Sequence, residues 1–173
     1  MKIINKKVLI TGGAGFIGSA MVRRLLKENN NYIFNIDKLG YSSSLSSSGD
    51  LEAYRKRYFF FKEDLKNKLK INQLVNEIDP DLIIHFAAES HVDRSLDNPQ
   101  EFIDSNVVGT FNILESTREH FKNLSLERKR SFKFHHVSTD EVFGSLNANG
   151  KFNEMTRYSP RSPYSASKAA SDH

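Results

Sequence analysis

The sequence predicts an α/β fold: a doubly wound parallel sheet in strand order 3-2-1-4-5, with helices on both faces. Three observations predict it. Short apolar runs rich in Val, Ile and Phe alternate with longer segments of helical periodicity. A glycine-rich turn at residues 12–18 joins the first run to the first helix. Residues able to do chemistry fall where strands end, and an open parallel sheet has its ligand crevice there.

The elements follow in order. Residues 8–11, Val-Leu-Ile-Thr, form a buried parallel strand that ends on Gly12. Ile17, Met21 and Leu25, with Ala20, Val22 and Leu26 beside them, describe an amphipathic helix ended by the asparagines at 29–31. The second strand spans residues 32–36 and closes on Asp37. Gly13, Gly15 and Gly18 fit G-x-G-x-x-G, while Gly12, Gly15 and Gly18 fit the wider G-x-x-G-x-x-G. A side chain there would block the tight turn, the approach of a pyrophosphate, or the contact of helix with sheet. The helix start adds unpaired N–H groups and the positive end of its dipole. Asp37 lies about 20 residues past Gly18, placed to accept both hydroxyls of an adenosine ribose and to repel a 2′-phosphate. Together these define a Rossmann-like dinucleotide site, with NAD favoured over NADP.

Residues 42–49 are serine-rich and read as a loop near the adenosine. A third strand covers residues 58–61. After it, Asp64 either meets the adenine amino group or caps the next helix, at residues 69–78. A turn at 79–81 leads into the fourth strand, residues 82–88. Asn98, Pro99 and Glu101 read as a helix start, with an N-cap acceptor and Pro in the first turn. Ile103, Val107, Phe111 and Leu114 then follow on one face. Residues 131–137 form the fifth strand, and Ser162 with Pro163 repeats the cap signal, putting Tyr164 in the first turn of a last helix.

Composition narrows the function classes. The 173 residues carry a net charge of +4, enough to raise the question of nucleic acid. The basic residues are dispersed, however, and the densest group, Arg128, Lys129, Arg130 and Lys133, lacks any reading motif. It is expected to be a solvated turn before a strand. No run approaches the ~20 apolar residues that cross a bilayer. The N-terminus lacks the pattern of a signal peptide. The absence of cysteine removes disulfides and thiolate chemistry. A cytoplasmic protein with neither nucleic-acid nor membrane partner is expected.

Tyr164 and Lys168 share one helix face. A phenol of pKa ~10 is a poor base at neutral pH. The Lys168 ammonium and an oxidised nicotinamide are expected to lower it. Thr139, closing the fifth strand, can hydrogen-bond the same substrate oxygen. Asp140 and Glu141 are either an acid and base whose pKa values are pushed apart, or a solvent-facing pair at a strand end. His91 reads as a loop residue, His135 and His136 as packing residues within a strand, and no spacing suggests a metal.

The glycine pattern, the strand-end hydroxyl and Y-x-x-x-K resemble the extended short-chain dehydrogenase/reductase superfamily. Within it, S-T-D-E-V-F-G at 138–144, A-A-E-S-H-V-D-R-S at 87–95 and S-P-Y-S-A-S-K-A-A-S-D-H at 162–173 look like the dTDP-glucose 4,6-dehydratases. The resemblance implies NAD as cofactor and a nucleotide sugar, dTDP-glucose, as substrate. It implies oxidation at C4, loss of water across C5 and C6, and hydride return to C6. Thr139, Asp140, Glu141, Tyr164 and Lys168 are then catalytic: Tyr164 takes the C4 hydroxyl proton, Glu141 the C5 proton, and Asp140 protonates the departing hydroxyl. Gly12, Gly15, Phe16, Ile17, Gly18, Asp37, Lys38, Leu39, Gly40, Asp64, Leu65, Phe86, Ala87, Ala88, Glu89, Ser90 and Ser105 would line the cofactor cleft with Tyr164 and Lys168. Ser90, Thr139, Asp140 and Glu141 would reach the sugar.

Members of that family are about twice this length. Residues 1–173 would then be the NAD-binding domain, ending before the last strands and the substrate lobe, with the fifth strand an open edge and little turnover alone. A homodimer through residues 99–121 and the last helix is also implied. Phe143 stands where the family more often has Tyr. Two other readings stay open. One is a non-catalytic NAD-binding module; the other is a sugar-nucleotide epimerase, which has no use for Asp140 and Glu141.

Overall fold

Five strands form one parallel sheet: β1 (Lys7–Thr11), β2 (Tyr32–Asp37), β3 (Tyr58–Lys62), β4 (Leu82–His85) and β5 (Lys133–His136). Their order is β3-β2-β1-β4-β5, as the sequence predicts. The computed structural model describes residues 3–28, 30–44, 51–146 and 150–173. Of the serine-rich stretch, residues 45–49 lie outside the described residues, as does Asn29 of the asparagine run.

β1 is central, with Val8 in register with Ile33 of β2 and Leu82 of β4. Because both faces of the sheet are covered, its side chains alternate between two cores. Val8 and Ile10 pack with Val22, Leu25 and Leu26 of α1 (Phe16–Glu28). Leu9 packs on the opposite face, with Ile71, Leu74, Val75 and Ile78 of α2 (Lys68–Ile78) and Ile113 of α5 (Gly109–Asn123). Each such fully buried aliphatic side chain stabilises the fold by about 1.5–3 kcal/mol. That continuous burial explains why β1 reads as an unbroken apolar run rather than an alternating one.

Several expectations change. β4 stops at His85 instead of continuing to residue 88. The Phe86 N–H still bonds the Thr11 carbonyl, but the Ala87 N–H goes to the Thr11 hydroxyl, so the chain peels off the sheet beside Gly12. Asp64 does not cap α2. Asn67 does, accepting from the Lys70 N–H, while Asp64 turns back onto the Lys66 N–H. Asn98 sits before the short helix α4 (Pro99–Phe102), following α3 (Val92–Asp97), but its side chain makes no cap bond. The basic run is helical rather than a turn, though none of its residues is buried. Arg128, Lys129 and Arg130 lie in α6 (Leu126–Ser131), capped by Ser125, and Arg128 Nη1 donates to both oxygens of the Asp79 carboxylate at 2.7 and 2.8 Å. His135 is exposed rather than packed, whereas His136 stacks on His85.

The largest change concerns the face after Pro99. α4 runs through a π-helical segment, Ile103–Val108, into α5. Ile103, Phe111 and Leu114 point outward, at 45%, 54% and 41% exposure. The buried face instead carries Asn106, Thr110, Asn112, Ser116 and His120. Each of four has a definite partner: Asn106 the Glu89 backbone, Thr110 the His85 ring, Asn112 the carbonyls of Leu65 and Lys66, and His120 the Pro80 carbonyl. Buried polar groups are tolerable only on that condition. The last helix, α7 (Pro163–Asp172), begins as expected, with a reciprocal capping box between Ser162 and Ser165 and Pro163 in its first turn.

Candidate active site

A cleft of about 330 Å³ opens over the carboxyl ends of the strands. The glycine turn contributes Gly12, Gly15, Phe16, Ile17 and Gly18; the loop after β2 contributes Asp37, Lys38 and Gly40. Asp64 and Leu65 enter after β3, and Phe86, Ala87, Ala88, Glu89 and Ser90 after β4. Ser105 reaches in from the π-helical segment, and Tyr164 and Lys168 from α7. Of the expected cofactor residues only Leu39 is missing from this lining. It shapes the loop instead, taking a left-handed φ of 58° and donating its N–H to Asp37 Oδ1 at 2.8 Å. Ser42 and Ser43 line the cleft too, in keeping with a serine-rich loop near the adenosine, while Ile36, Glu63, Val137 and Ser138 also line it and were not anticipated. Ile36, Glu63, Val137 and Ser138 lie at the carboxyl ends of β2, β3 and β5, so topology rather than residue type was the available signal.

The glycine turn is a cradle of tightly spaced backbone. A Cβ on Gly12, whose φ is +73°, would lie 2.6 Å from the Ala87 nitrogen, and one on Gly18 would lie 2.2 Å from the Gly12 carbonyl oxygen. Gly15 differs: its nearest neighbour would be the Gly12 oxygen at 3.3 Å, so what its missing side chain leaves free is space in the cleft. Asp37 is buried with Oδ2 on the Ala14 N–H at 3.0 Å and Oδ1 on the Leu39 N–H. Each oxygen retains a lone pair for a ribose hydroxyl. These features fit a dinucleotide.

One wall of the cleft is tied by charge. The buried Glu89 carboxylate meets Lys38 Nζ at 2.8 Å and Arg94 at 3.8 Å, and Arg94 also covers the Tyr41 ring at 4.5 Å. Asn106, which sequence reasoning missed, staples this loop: it accepts the Glu89 N–H and donates to the Glu89 carbonyl and to Ser167 of α7.

Thr139, Asp140 and Glu141 do not line the cleft itself. They follow Ser138: Thr139 is the N-cap of a 3₁₀ turn, Asp140–Phe143, its hydroxyl accepting the Glu141 N–H. That turn packs against α7 beside Tyr164, with the Thr139 hydroxyl facing the phenol. The phenol is pushed above its ordinary value by burial, which outweighs the opposite pull of the Thr139 hydroxyl, and to a smaller extent by the Glu141 and Asp140 charges. Lys168 is not among these influences; the expected lowering is that by its ammonium together with an oxidised nicotinamide. The lysine Nζ donates to the Val137 carbonyl at 2.8 Å, and burial pushes its own pKa down.

Below the cleft floor His85 is fully enclosed, bonded through Nδ1 to Thr11 and through Nε2 to Thr110. Burial, helped by His136 and Lys168, pushes its pKa down to about 3. The unfolded chain takes up this proton near the ordinary value of about 6.5 and the folded one does not, so stability must fall as pH drops below that value. Between pH 7 and pH 4 the loss is on the order of 3 kcal/mol. Urea unfolding followed across that range checks it, and a flat profile would contradict it.

Strand order and glycine turn are those of a Rossmann-like domain. The chain belongs to the GDP-mannose 4,6 dehydratase family, whose model matches residues 9–173. A probable dTDP-glucose 4,6-dehydratase of Sinorhizobium fredii is 51% identical over 167 residues, covering 96% of this chain and 47% of the relative. Among solved structures, the dTDP-glucose 4,6-dehydratase DesIV of Streptomyces venezuelae, with NAD and TYD bound, is 36% identical at a TM-score of 0.84. It is matched over 96% of this chain and 49% of its own. The dTDP-glucose 4,6-dehydratase of Bacillus anthracis, in complex with NAD, is 37% identical at a TM-score of 0.78, with 96% and 48% covered. The chain spans about half the length of the curated relatives it matches.

Proposed function

We propose that this chain is the NAD-binding, catalytic part of a nucleotide-sugar 4,6-dehydratase acting on dTDP-glucose. One observation carries the reading: a single turn presents a hydroxyl and two carboxylates, Thr139, Asp140 and Glu141, to the Tyr164 phenol. An oxidoreductase or epimerase needs only the hydroxyl, phenol and lysine. The two extra carboxylates supply the acid and base for an elimination.

Gly12, Gly15 and Gly18 would hold the pyrophosphate, Asp37 the adenosine ribose, and Tyr164 and Lys168 the nicotinamide end. Bound there, the oxidised nicotinamide supplies a hydride acceptor and a positive charge beside the phenol. Tyr164 accepts the C4 hydroxyl proton, with Thr139 holding the same oxygen. The resulting ketone acidifies C5, and Glu141, half-buried against Tyr164, removes that proton. Asp140 is exposed, so it can regain from water the proton it gives to the leaving C6 hydroxyl. Lys168, fixed on the Val137 carbonyl, orients the strand end. The outward apolar row of Ile103, Phe111 and Leu114 supports a second copy of the chain as partner.

Incubating the protein with NAD⁺ and dTDP-glucose tests the reading. A 4-keto-6-deoxy product is expected, formed only slowly by residues 1–173 alone. Formation of a 4-epimer, or cofactor binding with no sugar chemistry, would overturn it.

A further inference from the structure

We propose that Asp172 is a positioning residue, its carboxylate gripping from both sides the turn that carries Thr139, Asp140 and Glu141. The inference rests on the dehydratase reading for its consequence in catalysis, but not for its geometry.

Asp172 stands one turn past Lys168 on α7, on the face shared with Tyr164. Its side chain is only 11% exposed. Three side chains from separate segments converge on it. Ser138 Oγ donates to Oδ2 at 2.6 Å and Tyr158 O–H to the same oxygen at 2.9 Å. His136 Nε2, at the end of β5, bonds Oδ1 at 3.0 Å. Ser138 immediately precedes Thr139, so this bond fixes where the turn begins.

Tyr158 fixes its other side. The Tyr158 ring packs edge-on against Phe143, the last residue of the turn, at 5.2 Å. The next residue, Ser159, donates its N–H to the Val142 carbonyl at 2.9 Å. Gly144, at φ +89°, closes so tightly on this segment that a Cβ would lie 2.6 Å from the Ser159 carbonyl oxygen. A carboxylate that holds Ser138 and Tyr158 together therefore holds the turn between them. Hydrogen bonds to a charged acceptor are the strong ones, and a pair of them on one oxygen leaves little play.

Asp172 also acts on the helix that carries Tyr164. Its charge opposes the burial that lowers the Lys168 pKa. The other titratable groups around it are His136, stacked on His85 of the neighbouring strand β4, and Tyr158, whose ring meets His173 at a tilt. Neutralising Asp172 therefore moves two observables in known directions: Lys168 titrates lower, and the turn loosens.

The test is amide hydrogen exchange at Glu141, Val142 and Gly144 in the whole protein, with lysine NMR titration of Lys168. Asp172→Ala is expected to speed exchange at these amides by about tenfold or more, the size that loss of charge-assisted bonds produces. Asp172→Asn, which keeps the shape, should lower the Lys168 midpoint. A Ser138→Ala/Tyr158→Phe pair leaves α7 intact and should loosen the same amides, which keeps the proposal falsifiable if Asp172→Ala does not fold. In sugar turnover these variants should lower kcat and spare KM. Unchanged exchange in folded variants, or a Lys168 midpoint that does not move in Asp172→Asn, overturns the grip. Neither readout needs turnover, so a failed dehydration assay overturns the functional reading alone.

Discussion

On the proposed dehydratase function, replacing Glu141 with Gln is expected to lower dehydration of dTDP-glucose by about 10²–10⁴-fold, the range for loss of a general acid or base. The fold should be unaffected, because Glu141 is only half-buried and ends no core contact. Cofactor affinity should also hold, since Glu141 lies outside the cleft lining. Asp140→Asn should give a comparable loss. An epimerase built on the same fold would keep its turnover in both variants, which makes the pair diagnostic. A second signature follows from charge. Glu141 is one of the groups that raises the Tyr164 phenol, so Glu141→Gln should bring that phenol down. Ultraviolet titration, with Tyr164→Phe to identify the signal, reads the shift. Steady-state kinetics beside a cofactor titration separates lost chemistry from lost binding.

Alanine at Gly15 and alanine at Gly18 should fail in opposite ways. At Gly15 the new methyl meets only the Gly12 oxygen at 3.3 Å, and the rest of its surroundings is cleft. Stability should change by no more than about 1 kcal/mol. NAD⁺ affinity should fall by about tenfold or more, because the methyl takes the room through which backbone approaches pyrophosphate. At Gly18 the methyl would lie 2.2 Å from the Gly12 carbonyl oxygen and 2.9 Å from its carbon, both backbone atoms. Neither can rotate away, so the turn itself must move, at a cost of about 1–3 kcal/mol or more. Thermal unfolding with cofactor titration distinguishes them. A destabilised Gly15→Ala beside a native-like Gly18→Ala would contradict the assignment of roles within the turn.

The sheet was legible because its signals are local. An unbroken apolar run, a glycine turn and an acid after the next strand leave β1, α1 and β2 almost no alternative. The face of α5 was not legible. Periodicity turns Ile103, Phe111 and Leu114 inward, whereas the structure buries Asn106, Thr110 and Asn112. Their partners, at Glu89, His85 and Leu65, are remote in the chain, so no window of sequence contains the bonds that make burial tolerable. The helix α6 escaped for the opposite reason. It is short and polar, held by the Ser125 cap and the Arg128 bonds to Asp79 rather than by an apolar face. At the site, the Tyr164 and Lys168 spacing was plain, but the direction of the Tyr164 shift was not. That depends on burial and on where the Lys168 ammonium points. The meaning of Asp140 and Glu141 came from resemblance, since two acids at a strand end are equally at home in solvent.

The internal transfer of one hydrogen tests the central claim most directly. The protein is incubated with NAD⁺ and dTDP-glucose deuterated at C4, in ordinary water, and the product is read by NMR. A 4-keto-6-deoxy sugar with deuterium at C6 and a solvent proton at C5 is the expected result. Deuterium retained at C4 in an epimerised or unchanged sugar would contradict the assignment of Asp140 and Glu141 as acid and base.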